Sequence, residues 1–285
     1  MDLSLKHELV SDLFRESEPT TGCPISDALA TDFERDGFIT GVPLLDADQL
    51  NALREELEEF MRPEQAGNEL FYEYNINESS GEGRLFHALG AWRVSTAFHD
   101  LVFFERLVRS AEKLLGAAVR LWHDQAFVKP ARDGGAVAWH QDYSYWTRTV
   151  PLAHLTCWIG LDDSTEENGC VQYVPGSHRW HLLPRGDLAG DMEAVFKHLN
   201  AEQRDAFVPV PAVMSAGEAS FHHPMTVHGS FENTSESSRR GIVINFMRDG
   251  VRSNSYEPLL EGLPLILMGE KLEGQFFPLL SKPSL

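Results

Sequence analysis

Trp139-His140-Gln141-Asp142-Tyr143 is the stretch whose reading decides the fold. It lies inside an aromatic run, residues 136–146, that reads as a β-strand. In an extended strand, residues i and i+2 share a face. His140 and Asp142 are therefore expected to present an imidazole and a carboxylate side by side. A histidine from a facing strand would complete a 2-His-1-carboxylate triad, a donor set suited to a non-haem Fe(II) centre. Such triplets are common in surface or structural positions. The weight falls on the third ligand and on the scaffold.

Outward from this stretch the texture is β-rich, with candidate strands at 119–129, 154–161, 170–174, 219–222 and 241–247. Asn168-Gly169 reads as a hairpin turn and Pro175-Gly176 as a type II turn. The first half of the chain is helical by contrast. A helix is expected over 28–36, then a short strand over 37–42. Asp46, with Gln49 three residues on, starts a capping-box helix that runs to about Met61 and aligns Leu50, Leu53, Leu57 and Phe60. The acidic run on that helix reads as a solvated face. Residues 62–90 read as loop, with the turn-rich Asn75-Ile76-Asn77-Glu78-Ser79-Ser80-Gly81, and 103–115 as a second helix. Residues 1–26, including the loop-like Pro19-Thr20-Thr21-Gly22, read as an extension. A single domain follows over 27–285, with a helical insertion near 188–207 as a lid or wall.

With 285 residues, the chain is long enough for one substantial core. A formal charge of −19 argues against nucleic acid or an anionic membrane as partner. Three cysteines are too few for a disulfide framework, no leader pattern is visible, and no apolar run approaches a membrane span. A cytoplasmic protein acting on a small molecule is expected; oligomeric state is not readable.

For the third ligand, His222, His223 and His228 compete. His228 is preferred because Gly229 follows it, allowing close approach, and a strand begins near Arg239. Arg239 would anchor the distal carboxylate of 2-oxoglutarate, the usual cosubstrate of such iron sites, through a bidentate guanidinium contact. Parity separates it from its neighbour: Arg239 shares a face with Gly241, Val243 and Asn245, whereas Arg240 shares one with Ile242, Ile244 and Phe246 and reads as packing. Tyr143, Tyr145 and Trp146 read as core or pocket wall, His123 and His154 as structural or surface residues, and Asp162 to Glu167 as a solvated loop.

The ordered set His140-x-Asp142, Asp162-Asp163, Asn168-Gly169-Cys170, Pro175-Gly176-Ser177-His178, His228-Gly229-Ser230, Asn233 and Arg239 resembles the phytanoyl-CoA dioxygenase family. The resemblance covers about residues 30–250. It implies a mainly β fold with flanking helices around a double-stranded β-helix (jelly-roll, cupin-like) core, with Fe(II), 2-oxoglutarate and O2 as cofactor and cosubstrates. By the same resemblance His140, Asp142 and His228 match the iron ligands and Arg239 the cosubstrate anchor. Gln125, Trp158 and Ser230 fall where further cosubstrate contacts lie. The family's upstream lysine has no assigned counterpart, and His87 is the stand-in. Halogenating relatives carry a small residue in place of the carboxylate ligand; Asp142 fills that position, so hydroxylation is expected. The rivals are a cupin-like metal- or ligand-binding module without oxygenase activity, and the same iron chemistry ending in desaturation, epoxidation or ring closure.

Overall fold

The computed structural model describes residues 1–16, 23–65, 68–78, 83–189 and 191–281. The Pro19-Thr20-Thr21-Gly22 loop and the Ser79-Ser80-Gly81 part of the turn-rich stretch lie outside the described residues. Six α-helices are present among the described residues: α1 Asp27–Asp36, α2 Ala47–Phe60, α3 Thr96–Val102, α4 Glu105–Leu115, α5 Tyr143–Trp146 and α6 Ala201–Asp205. The strands begin with β1 Phe38–Pro43, β2 Glu73–Asn75, β3 Phe86–Leu89, β4 Val119–Lys129, β5 Val137–His140, β6 Thr149–Val150 and β7 His154–Gly160. They continue with β8 Gln172–Tyr173, β9 Val210–Pro211, β10 Glu218–His222, β11 His228–Ser230, β12 Arg239–Arg248 and β13 Arg252–Ser253. The fold is mainly β with flanking helices.

A seven-stranded sheet runs β1-β10-β7-β12-β4-β3-β2 and a four-stranded sheet runs β5-β11-β8-β9. The large sheet has two unlike faces because side chains alternate along each strand. Phe221, Cys157, Ile159, Ile242, Ile244, Phe246, Ala126 and Val128 belong to the main core with Leu53 and Leu57 of α2 and Leu107 of α4. Each of the buried Phe, Ile, Val and Leu side chains contributes roughly 1.5–3 kcal/mol. Most of the alternate residues are polar or aromatic, with Val243 an exception. Two rows of register partners cross the sheet here: His222–Thr156–Asn245–His123 and Ser220–Trp158–Val243–Gln125. Packing thus assigns one face to stability and leaves the other for a site.

Local chemistry sets the boundaries. Asp46 accepts from the Gln49 backbone at 2.9 Å while Gln49 Oε1 accepts from the Asp46 backbone at 3.1 Å, the capping box the spacing implies. Gly176 adopts φ 77° and the Ser177 amide donates back to Val174, a type II turn. The helix expected over 103–115 begins at Glu105 because Phe104 is extended, and α3 precedes it. The N-terminal segment packs onto this region: Arg93 pairs with Asp2, and Asp100 accepts from the amides of Val10 and Ser11.

Several expectations are overturned. Residues 136–146 are not one strand: β5 ends at His140, and Asp142, at φ −54° and ψ −43°, opens the short helix α5. Residues 62–90 hold β2 and β3, short strands hidden by turn-rich composition. Asn168-Gly169 makes no hairpin, since β7 and β8 lie in different sheets and the turn carries the chain between them. The Asp162 to Glu167 segment is not merely solvated: Asp162 accepts three hydrogen bonds from Arg240, which is ion-paired rather than packed. Between 188 and 207 the main helical element is a 3-10 turn, Met192–His198, followed by α6. No helix among the described residues is long and apolar enough to cross a membrane.

Candidate active site

One cavity of about 280 Å3 is walled by residues of both sheets, and the sequence-predicted residues Gln125, His140, Asp142, Trp158, His228, Ser230 and Arg239 all line it. β5 and β11 pair antiparallel with His140 opposite His228, which brings the two imidazoles to a ring-centroid separation of 4.2 Å. Close approach at this pairing needs Gly229, where an added Cβ would stand 3.0 Å from the Val137 carbonyl oxygen. Asp142 arrives by a turn, not by strand alternation. Gln141, fully buried, pins that turn by accepting from the Leu183 amide at 2.7 Å and donating to the Met225 carbonyl at 2.9 Å.

The ring orientations are decided by backbone carbonyls. His140 Nδ1 donates to Ala138 O at 2.8 Å, and His228 Nδ1 donates to Thr226 O at 3.0 Å. In each neutral ring the lone pair therefore resides on Nε2. Both Nε2 atoms lie 3.5 Å from Asp142 Oδ1. Burial, then the nearby His140 ring, pushes His228 well below the usual imidazole range, so it stays neutral. Burial pushes the Asp142 carboxyl up, whereas protons on His228, His140 and His222 would pull it well below the usual carboxylate range. With the lone pairs of His228 and His140 turned toward it, the His222 donor is what remains of that pull. Two lone pairs and a carboxylate aimed at one point repel one another unless a cation stands between them. The donor atoms lie within 4.8 Å of one another. Imidazole, imidazole and carboxylate with open positions toward a cavity fit Fe(II).

Arg239 fits the cosubstrate by the same kind of test. Its side chain is buried against Trp158, whose ring centroid is 5.3 Å from the guanidinium carbon, and it donates to Gly169 O. Gly241 makes room for that indole, since a Cβ there would come within 2.5 Å of the ring. Arg239 Nε is buried without a hydrogen-bond partner, and no carboxylate pairs with Arg239 among the described residues. Burial lowers its pKa to about 10, still well above neutrality. A buried cation with a free donor facing a cavity suits an incoming carboxylate.

The other residues are already engaged within the protein. Gln125 Oε1 meets His87 Nε2 at 2.9 Å. Ser230 Oγ accepts from Lys129 Nζ at 2.7 Å, and Lys129 also donates to the Phe231 carbonyl at 2.5 Å. Lys129 is a fully buried lysine in register with Arg239 that sequence reading left unassigned. It closes the strand β4, where β propensity gave it no distinguishing mark. Thr156 was also missed, and His222, weighed only as a rival third ligand, instead joins Thr156 in holding Asp142. Period-2 spacing from Ser220 on β10 was the available signal for His222. His123 is buried and lines the cavity, and Tyr145, Arg185 and Leu188 form its outer wall.

Comparison with known proteins agrees with this geometry. The model of the phytanoyl-CoA dioxygenase family matches residues 33–241. L-proline trans-4-hydroxylase from Streptomyces griseoviridis is 27% identical over 80% of this chain and 88% of its own. Ectoine dioxygenase from Bordetella parapertussis is 28% identical over 84% of this chain and 80% of its own. The crystal structure of SnoK, a non-haem α-ketoglutarate-dependent carbocyclase from nogalamycin biosynthesis, superposes with a TM-score of 0.74 at 26% identity, covering 92% of this chain and 99% of that one. Donor cluster, buried arginine and these similarities together define an Fe(II)/2-oxoglutarate-dependent dioxygenase. The chain belongs to the phytanoyl-CoA dioxygenase family.

Proposed function

We propose that this enzyme hydroxylates a free small organic metabolite in the cytoplasm, with His140, Asp142 and His228 as the iron ligands and Arg239 as the anchor of 2-oxoglutarate. The observation that carries the reading is the meeting, in one cavity, of a three-donor cluster and a buried arginine that lacks a carboxylate. The two sheets facing that cavity are read as the double-stranded β-helix core. Residues 27–285 form one oxygenase domain, 1–26 an extension, and 188–207 an inserted wall.

The balanced reaction is R–H + O2 + 2-oxoglutarate → R–OH + succinate + CO2. Bound Fe(II) supplies the redox chemistry that couples cosubstrate decarboxylation to attack on the substrate C–H bond. The chain supplies position. His140 and His228 present fixed Nε2 lone pairs because their Nδ1 protons are committed to carbonyls. Arg239 receives the distal carboxylate of 2-oxoglutarate, with Trp158 packed beside its guanidinium and Gln125 and Ser230 on the adjoining walls. Tyr145 and Trp146 limit water at the outer side, and Tyr145 is tied by its hydroxyl to Gly186 O at 2.8 Å. Free small molecules are favoured over CoA thioesters because the cavity wall offers no basic cluster for phosphates among the described residues. Besides Arg239, Arg148 is committed to the carbonyls of Pro258 and Leu259, and Arg185 lies over the Tyr145 ring at 4.9 Å.

The test is a metabolite screen that reads succinate with Fe(II), 2-oxoglutarate and O2 present, followed by mass analysis of the product. Gain of one oxygen atom, abolished in Asp142→Ala, is the expected result. Loss of two hydrogens would replace hydroxylation by desaturation or ring closure. Metal binding with no response to 2-oxoglutarate would leave only a binding module.

A further inference from the structure

We propose that His222 is a positioning residue which, with Thr156, occupies Asp142 Oδ2 and leaves Oδ1 alone to face the lone pairs of His140 and His228; this rests on the reading of those three residues as the metal ligands. His222 Nε2 lies 2.9 Å from Asp142 Oδ2, and Thr156 Oγ1 lies 2.6 Å from the same oxygen. An ionised carboxylate only accepts, so both partners must donate. The far side of the ring agrees with that polarity. His222 Nδ1 lies 3.1 Å from the hydroxyl of Tyr173, which in turn lies 2.8 Å from Ser220 Oγ. If His222 carried its only proton on Nδ1, two acceptors would face each other at 2.9 Å. For a neutral His222 the chain runs Ser220 O–H to Tyr173, Tyr173 O–H to His222 Nδ1, and His222 Nε2–H to Asp142; a doubly protonated ring reverses the Tyr173 bond and keeps the one to Asp142.

All four supporting side chains are buried, Tyr173 and Ser220 completely. His222 and Thr156 are register partners on neighbouring strands of the large sheet, whereas Asp142 follows β5 of the small sheet. Two rigid strands therefore reach across the cavity to hold one oxygen of a residue seated on a turn. A carboxylate left free to rotate can chelate a metal through both oxygens. That would take one of the positions 2-oxoglutarate requires. Two donors on Oδ2 would leave Oδ1 as the one carboxylate oxygen free for a bound metal, and so would leave those positions to the cosubstrate.

The experiment is an anaerobic titration of the Fe(II)-loaded enzyme with 2-oxoglutarate, at saturating Fe(II), in the parent, His222→Phe, His222→Gln, Thr156→Val and Tyr173→Phe. The readout is the visible charge-transfer band, with bound iron measured separately. In His222→Phe and in Thr156→Val, half-maximal band formation is expected to need about tenfold more 2-oxoglutarate, in the range by which outer-sphere changes alter such sites. His222→Gln, which keeps an N–H donor, is expected to recover part of that loss, and Tyr173→Phe to show a smaller shift in the same direction. A purely structural role would lower melting temperature or iron occupancy and leave the 2-oxoglutarate dependence of the iron-loaded fraction unchanged. An unchanged dependence in both His222→Phe and Thr156→Val overturns the positioning role. If His222→Phe does not fold, Thr156→Val and Tyr173→Phe decide. Absence of the band in the iron-loaded parent would instead overturn the cosubstrate reading itself.

Discussion

Replacing Arg239 with methionine should separate binding from stability, with opposite signs. The guanidinium is buried, donates to the Gly169 carbonyl, and has an Nε with no partner. Burial lowers its pKa to about 10, so the folded protein disfavours the charged form. Burying an ion that is incompletely paired costs several kcal/mol. The bond to Gly169 and the stacking on Trp158 return about 1 kcal/mol each. Methionine fills similar volume without the charge, so the ligand-free variant should melt at or above the parent temperature. Binding moves the other way. Removing one partner of a buried, hydrogen-bonded charge pair costs about 2–5 kcal/mol, which is about 30-fold to about 4000-fold in affinity. The assay is anaerobic thermal unfolding with saturating Fe(II). At 100 times its dissociation constant 2-oxoglutarate adds about 2.7 kcal/mol, raising the parent melting temperature by about 5–8 °C. The same concentration should shift Arg239→Met by at most about 2–3 °C, from the about 0.9 kcal/mol left after an about 30-fold loss, and by nothing at the upper end of the range. A variant that melts far below the parent would show that the buried guanidinium stabilises the fold, and one that keeps the full ligand-induced shift would show that Arg239 does not hold the cosubstrate.

His140→Ala should fold normally and lose iron-dependent turnover; normal succinate formation would remove His140 from the ligand set. Asn233, fully buried, donates to the carbonyls of Lys129, Pro130 and Ser237 and accepts from Ser235. Asn233→Ala should therefore cost about 2–3 kcal/mol in urea unfolding, and an unchanged midpoint would contradict that structural role. Burial pushes His123 and His154 down to about 3. Below about 6.5 the unfolded chain takes up protons that the folded one refuses, so stability should fall on acidification by up to about 1.4 kcal/mol per pH unit for each. His154→Phe, placed among Trp122, Trp146 and Tyr143, should flatten the decline in the unfolding free energy between pH 6.5 and 5. An identical decline in parent and variant would speak against it.

The long strands were legible because period-2 patterning and buried aliphatics agree along β4, β7 and β12. Parity along β12 separated Arg239 from Arg240, and Arg239 does line the cavity. The pairing of His140 with Asp142 was expected on a premise that the backbone does not support. Asp142 sits in a turn held by Gln141, and the hydrogen bonds that make this turn come from Leu183 and Met225, about 40 and 80 residues away. No local pattern encodes such partners. Nor could it encode that Lys129 meets Ser230 or that His222 meets Asp142, which depend on the apposition of two sheets. β2 and β3 were missed because each is short and embedded in turn-forming composition. Asn168-Gly169 carries the right residues for a hairpin, yet Cys170 bonds back to Thr165 and the chain passes to the other sheet.

The His140, Asp142 and His228 cluster is proposed to bind Fe(II), with 2-oxoglutarate held by Arg239 in the same cavity. The direct test adds Fe(II) and 2-oxoglutarate to the apoprotein without oxygen and records the visible spectrum. A weak charge-transfer band that needs both additions, saturates at one iron per chain, and disappears in His140→Ala is the result expected. A folded, iron-loaded protein that shows no band at any 2-oxoglutarate concentration would rule out 2-oxoglutarate binding at this iron.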